Sequence, residues 1–354
     1  MRRPFAAIAL LLTATGVLAQ GKSPTDKYVA HDSHFHLTNY VQQGTPIRDF
    51  LSIMGDKVGR VALFGIPLQQ TWSYRNSGDA APTYYLESDS PLYYYSFTDA
   101  YIAQTYLSLP EKDRARFDPM ITGFNPADMY AADHIRRVLE TFPGVFSGVG
   151  EFTIHKEFVS SKVAGDVASL TDPALDRIFD FAGQVGLVVL IHNDIDTPYP
   201  KPEHELHDLK KLAALFRRHP QTQIIWAHGG VGRIVRPVAN QADILESALA
   251  DPKLAHVSID ISWSETAKYL VASPETIARA AKVINRFPDR VLFGTDEVAP
   301  RDQKSYLKTY DMYAPLFAQL TPQASEKVRK GNYERLFDEA RKRVRAWESV
   351  NVSR

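Results

Sequence analysis

Eight short runs rich in apolar and β-branched residues recur along the chain, at 28–36, 58–66, 119–124, 146–154, 187–192, 223–228, 256–262 and 290–296. Each reads as a strand. Between them the stretches 132–142, 174–185, 204–218, 243–250, 274–287 and 304–320 place apolar residues at helical spacing. Strands that alternate with helices point to a parallel sheet, because a parallel pair needs a long crossover. About eight such units without a break favour a closed (β/α)8 TIM barrel over an open doubly wound sheet, and no G-x-G-x-x-G follows the first strand. The expectation is therefore an α/β fold with a single barrel domain over residues 20–354.

One connection is too long for this scheme. Residues 67–118 separate the second and third strands and hold eight of the 17 tyrosines: Tyr74, Tyr84, Tyr85, Tyr93, Tyr94, Tyr95, Tyr101 and Tyr106. Tyrosine enrichment argues against disorder. The part at 71–91 reads as irregular and 98–109 as the helix that follows strand two. The preferred reading is a lid that offers aromatic contacts to a substrate; the alternative is an insertion packed on the barrel side or on a neighbour in a homo-oligomer.

Residues 1–19 differ in kind. Arg2 and Arg3 precede an apolar run at 5–12, and Val17-Leu18-Ala19 offers a small-residue cleavage site before Gln20. This reads as a secretory signal peptide, too short to span a membrane, and implies a periplasmic or secreted protein. Arg2-Arg3-Pro4-Phe5 also resembles a twin-arginine core, although Ala6 and Ala7 depart from it. Cysteine is absent, so stability rests on core burial without disulfides, and no lipid anchor is available. Composition is that of a soluble globular chain, 44% hydrophobic and 23% charged. Removal of residues 1–19 takes away two arginines and no acid, leaving a formal balance of −2. Such a chain has no electrostatic footprint for nucleic acid or anionic membrane, and its expected partner is a small-molecule substrate.

Chemistry concentrates at the strand ends. Asp32-Ser33-His34-Phe35-His36 is D-x-H-x-H on a strand, where alternation puts Asp32, His34 and His36 on one face, able to grip a divalent cation. In a barrel the active site lies at the C-terminal ends of the strands. There the fourth strand delivers Glu151, the fifth His192, the sixth His228 before a glycine pair, and the eighth Asp296. Taken singly, each has a bland reading: a core histidine, a helix cap, a salt-bridge partner. Jointly they do not, because buried imidazoles and carboxylates are costly unless a cation or partner satisfies them.

This pattern resembles the amidohydrolase superfamily, specifically its amidohydrolase-related (amidohydrolase 2) branch of metal-dependent hydrolases and decarboxylases. The resemblance runs from the D-x-H-x-H motif through Ala227-His228-Gly229-Gly230 and Phe293-Gly294-Thr295-Asp296 to Asn332-Tyr333-Glu334-Arg335-Leu336-Phe337, which is similar to the family's closing N-A-x-R-L-F. It implies that His34, His36, His192 and Asp296 hold a divalent metal, most often zinc, with His228 beside the reacting group. Imidazole and carboxylate donors suit Zn²⁺, and such a cation brings water to a pKa of about 7. Asp296 would then shuttle a proton, and His228 would polarise a carbonyl or steady an oxyanion. Glu151 decides between one ion, the favoured reading, and two, either by bridging or by bonding a ligating histidine.

The implied reaction is hydrolysis of a carboxylic ester, lactone or amide by metal-activated water. The alternative is non-oxidative decarboxylation of a small aromatic carboxylic acid, and a silent ligand-binding protein is a third reading that would predict a missing ligand. Arg233 is a candidate clamp for a substrate carboxylate, and Trp263 a candidate substrate contact; for Trp263 and Asp260, barrel filling weighs equally. His155 is expected in the loop after strand four, His204 and His207 solvated at a helix start, and His31 structural. Glu297 adds a carboxylate near the mouth.

Overall fold

The computed structural model describes residues 27–39, 44–66, 97–156, 168–197 and 208–352, with Tyr199, Leu206 and the backbone of short strands at 68–69, 71–72, 86–87, 93–94 and 159–160. Residues 1–26, most of the tyrosine-rich segment, His204 and His207 lie outside the described residues.

Nine parallel segments make the main sheet: β1 (Ala30–His36), β2 (Val58–Phe64), β3 (Phe117–Ile121), β4 (Gly148–Lys156), β5 (Val188–Asn193), β6 (Ile224–Trp226), β7 (Val257–Asp260), β8 (Val291–Leu292) and β9 (Glu297–Val298). They lie side by side in the order β8-β7-β6-β5-β4-β3-β2-β1-β9. β8 and β9 are the two halves of one eighth strand, separated by four residues. The first half pairs with β7 and the second with β1, so the sheet closes on itself. Ser33 N donates to Phe293 O at 3.2 Å and Asp296 N to His34 O at 2.8 Å, which carries the ladder across the gap.

Helices cover the outside: α1 (Ile47–Met54), α2 (Phe97–Leu107), α3 (Ala131–Thr141), α4 (Pro173–Val185), α5 (Leu209–Arg218), α6 (Gln241–Ala250), α7 (Ser264–Leu270), α8 (Pro274–Arg286) and α9 (Asn332–Asn351). Of these, α1, α3, α4, α5 and α8 each present one apolar stripe. Pro173 at the first turn and left-handed Gly186 just past the end delimit α4. A capping box of Ser273 and Thr276 starts α8. Inside the barrel, Ala62, Phe64, Met120, Val188, Leu190, Ile225 and Leu292 fill the lumen, and Tyr333, Leu336 and Phe337 from α9 close its lower end. The closing sequence motif is thus the plug of the barrel.

Several expectations shift. β3 starts earlier than expected, because buried Asp118 is paired with Arg60 at 2.9 Å, with Arg341 and with Tyr333 Oη at 2.7 Å and so does not end a strand. β6 stops at Trp226, where His228, Gly229 and Gly230 turn left-handed with φ of 58°, 60° and 77°. The expected helix at 304–320 is three short ones, Gln303–Tyr306, Lys308–Met312 and Ala314–Phe317. Within 71–91 only Thr71–Trp72 and Leu86–Glu87 are described, and they pair in parallel. Flanking the stretch, Leu68–Gln69 pairs antiparallel with Tyr93–Tyr94, and the rest of the irregular reading lies outside the described residues. α1, α7 and α9 had no counterpart among the expected helices.

Candidate metal centre

Bulges decide what the first and fourth strands present. The pairing of β1 with β2 slips at Asp32 and again before Phe35. Simple alternation, which would align Asp32 with the histidines, therefore fails. Asp32 instead accepts from Thr295 Oγ1 at 2.6 Å, Tyr306 Oη at 2.8 Å and the Thr295 and His34 amides. Burial raises its pKa to about 6 against those bonds. His34 and His36 remain together, with ring centroids 5.3 Å apart.

β4 slips twice against β5, between Val149 and Phe152 and between Thr153 and His155. An odd spacing then places Glu151 and Lys156 near each other, with Lys156 Nζ 3.7 Å from Glu151 Oε1. The strand also runs through His155, which sits in β4 and not in a loop, its Nε2 3.2 Å from Asp196 O.

Donor atoms converge at the mouth in overlapping groups. One comprises His34, His36, Glu151 and Asp296; a second comprises Glu151, His192 and His228; a third His34, His228 and Asp260. In the first, Asp296 Oδ1 lies 3.0 Å from His36 Nε2 and 3.2 Å from His34 Nε2, and Glu151 Oε2 lies 3.4 and 3.7 Å from the same atoms. In the second, Glu151 Oε1 accepts from His192 Nδ1 at 2.6 Å and stands 3.8 Å from His228 Nε2. Glu151 therefore turns one oxygen to each group. His192 shares no donor group with His34 and His36 and reaches them through Glu151 and through His228, whose ring stands 4.8 Å from its own and 5.1 Å from that of His34. Its Nε2 faces Asp194 Oδ1 at 3.1 Å.

Asp260 is the residue that sequence reasoning left undecided. Fully buried, it accepts from His34 Nδ1 at 3.0 Å, from the His228 amide at 2.9 Å and from Ser262 Oγ at 2.6 Å. Ser262 Oγ in turn lies 2.9 Å from His228 Nδ1, and the Ser262 carbonyl 3.3 Å from it. A carbonyl only accepts, so Nδ1 carries the His228 proton. His34 Nε2 and His228 Nε2 are left as buried nitrogens with no hydrogen-bond partner. The polar alternation Ser258, Asp260, Ser262 was the signal available in the sequence.

Electrostatics follow from this packing. Burial pushes the Asp296 and Glu151 carboxyls up, but His34 beside Asp296, and Lys156 with His192 beside Glu151, hold both well below the usual range. Burial keeps His228 below the usual imidazole value. His34 is driven well above it, because Asp296 and Asp260 outweigh its burial. A cation among these anions fits the donor set and gives the orphaned nitrogens a partner.

Trp263, buried with φ of 74°, stands with its ring 5.2 Å from that of His228. Lys156 Nζ lies 4.9 Å and Arg233 Cζ 5.8 Å from the same indole. Arg233 also approaches Glu265 at 3.6 Å. Glu297 sits on β9 beside Phe35, and burial together with Asp296 raises its pKa to about 7. His31 lies outside the site and meets Glu334 at 2.9 Å.

A closed parallel barrel with histidines and carboxylates at the C-terminal strand ends defines an enzyme of the metal-dependent (β/α)8 class. The chain belongs to the amidohydrolase family, whose sequence profile matches residues 32–338. Among solved structures, a candidate 2-pyrone-4,6-dicarboxylic acid hydrolase from Pseudomonas putida is similar over 88% of this chain and 98% of its own, at 14% identity and a TM-score of 0.54. A Burkholderia multivorans amidohydrolase with bound zinc matches 88% of this chain and 99% of its own, at 14% identity and a TM-score of 0.54. A counterpart from Acinetobacter baumannii with citric acid bound covers 88% and 99%, at 11% identity and a TM-score of 0.53. At such identities the likeness is one of fold. No protein of curated function matches the sequence. Among the described residues no helix is long and apolar enough to cross a membrane.

Proposed function

We propose that the protein is a metal-dependent hydrolase acting on a carboxylic ester, lactone or amide. The observation that carries this reading is the pair of buried, unpartnered imidazole nitrogens, His34 Nε2 and His228 Nε2, that face Asp296 and Glu151. His34, His36, Asp296 and Glu151 Oε2 would hold one divalent ion, and nitrogen with carboxylate donors suits zinc. When bound, that ion supplies Lewis acidity, polarising a carbonyl and lowering the pKa of water towards 7. Asp296 reaches both histidine groups and is the residue placed to take a proton from the attacking water and return it to the leaving group. His228, with its proton held on Nδ1, offers a lone pair at Nε2. In its neutral form it is thus an acceptor or a ligand, and it donates to an oxyanion only as imidazolium. Trp263 supplies an apolar wall, and Lys156 and Arg233 supply positive charge beside it.

Two specific observations favour variants of this reading. The opposed oxygens of Glu151 favour a second ion, held with His192 and His228. The cations flanking Trp263 favour a substrate that carries a carboxylate, as decarboxylation of a small aromatic acid requires. Metal analysis of protein purified without chelator separates the ion counts: one equivalent supports the single site, two the bridged pair, and none would overturn the proposal. A panel of esters, lactones and amides assayed for acid release, beside aromatic acids assayed for CO₂, separates the reactions. CO₂ release with no hydrolysis in the panel would replace the first reading by the second.

We also infer export with cleavage before Gln20, supported by the residue pattern at 1–19. Amino-terminal sequencing of protein from the periplasmic fraction tests it.

A further inference from the structure

A cavity of about 260 Å³ lies outside the barrel wall, between β7 and helices α6, α7 and α8. Leu245, Ile259, Ile261 and Ile284 make most of it apolar. Ile259 on β7 and Ile261 just past its end line the cavity, while the Asp260 carboxylate between them turns to His34; the cavity therefore backs onto the metal centre, with Asp260 and His228 lining the boundary between the two. Tyr269, Thr276 and Arg279 also line it and are bonded to Gly232 O, Ser273 and Ala239 O, whereas two further polar groups present buried atoms without partners. Thr266, 2% exposed, has a buried Oγ1 with no hydrogen-bond partner, and Gln241 has a buried Oε1 with none. Gln241 Nε2 is already committed to Gly229 O at 2.8 Å, so the amide cannot turn to relieve its oxygen without losing that bond.

Buried polar atoms without partners are costly, and an apolar space lined by one donor and one acceptor has a complementary occupant. We propose that this cavity is a binding site, separate from the metal centre, for a small apolar molecule that carries one hydroxyl, of the size of a single ring with a short substituent. Its hydroxyl donates to Gln241 Oε1 and accepts from Thr266 Oγ1, and its hydrocarbon fills the space against Leu245 and Ile284. Apolar cavities smaller than this one hold benzene, so the volume suffices. The Gln241–Gly229 bond ties the occupied cavity to the left-handed turn that carries His228, and an occupant stiffens that turn.

Titration of the metal-loaded protein with benzyl alcohol, and separately with toluene, followed by ligand-observed NMR, tests the proposal. Benzyl alcohol saturates one site, binds about threefold to tenfold more tightly than toluene, and keeps its affinity after the metal is stripped by chelator. Thr266→Val weakens benzyl alcohol, which keeps only its bond to Gln241 Oε1, and leaves toluene unchanged. Ala242→Trp fills the cavity and removes both. Absence of saturable binding, the result if a second copy of the chain covers the opening, overturns the proposal. So does binding lost with the metal, toluene binding as tightly as benzyl alcohol, or indifference to Thr266→Val, which decides the matter even if Ala242→Trp does not fold.

Discussion

Asp260 accepts a hydrogen bond from His34 Nδ1 at 3.0 Å, so that in the neutral form of His34 the opposite ring nitrogen, 3.2 Å from Asp296, carries the lone pair. A carboxylate behind an imidazole fixes the tautomer and orientation of a metal-ligating histidine. Because Asp260 also anchors the His228 amide and Ser262, one residue sets the presentation of both unpartnered nitrogens. Asp260→Asn should weaken metal affinity by about 10-fold to 100-fold, read by competition with a chromophoric chelator. Unchanged affinity would remove Asp260 from the site.

His36→Ala and Asp296→Asn should each abolish hydrolysis. Both residues contribute to the same donor group, with 3.0 Å between His36 Nε2 and Asp296 Oδ1. Assay alongside metal content distinguishes a lost ligand from a misfolded chain, and full activity in either variant refutes the assignment.

Lys156 owes its place to the bulge between Thr153 and His155 and stands between Glu151 and Trp263. Lys156→Met should raise KM for a carboxylate-bearing substrate by about tenfold or more, as expected for loss of one charge-assisted contact, with a smaller effect on uncharged esters. Equal effects on both substrate types would argue against charge recognition.

Asp118 is fully buried beneath the barrel, and Arg60 and Arg341 outweigh its burial to hold its carboxyl below the usual range. Asp118→Ala leaves those guanidinium groups and Tyr333 without their acceptor. It should cost roughly 3–5 kcal/mol by denaturant unfolding. A loss under 1 kcal/mol would show that the network contributes little.

Asp99, buried on α2, accepts the Thr122 and Gly123 amides at 2.9 Å each, yet burial lifts its pKa from 3.8 to about 7. The folded state thus binds a proton that the unfolded state has released, and this group's contribution falls as pH rises from about 4 to 7. Asp99→Asn has no such dependence. Between pH 5 and 8 its stability should move in its favour relative to the parent by up to about 3 kcal/mol. Parallel stability curves for the two proteins would exclude a raised pKa.

Much of this architecture is legible in the residue order. The run Val188–Asn193 is apolar up to its histidine, so a buried parallel strand and the place of His192 at its end follow directly. Glu151, His228 and Asp296 are legible in the same way. Lys156 is not, because regular alternation puts it opposite Glu151, and only the bulge between Thr153 and His155 returns it. Asp32 shows the converse error, since its motif aligns it with the histidines and the bulge in β1 turns it to Tyr306. Asp260 carries no motif, and its weight comes from contacts more than 200 residues away along the chain.

Periodicity and strand-end chemistry are local properties, so the order of residues alone settles the barrel, its family and every donor at its mouth except Asp260. Grouping those donors is a matter of distances across the barrel, which depend on bulge positions, left-handed turns at His228 and Asp296, and the closure of β9 on β1. Only the packed structure places Glu151 between two histidine groups and sets Asp260 behind His34. The cavity behind β7 belongs to the same level, since it is the space left between three helices, of which the pattern predicts α6 and α8 but neither α7 nor the fit among them.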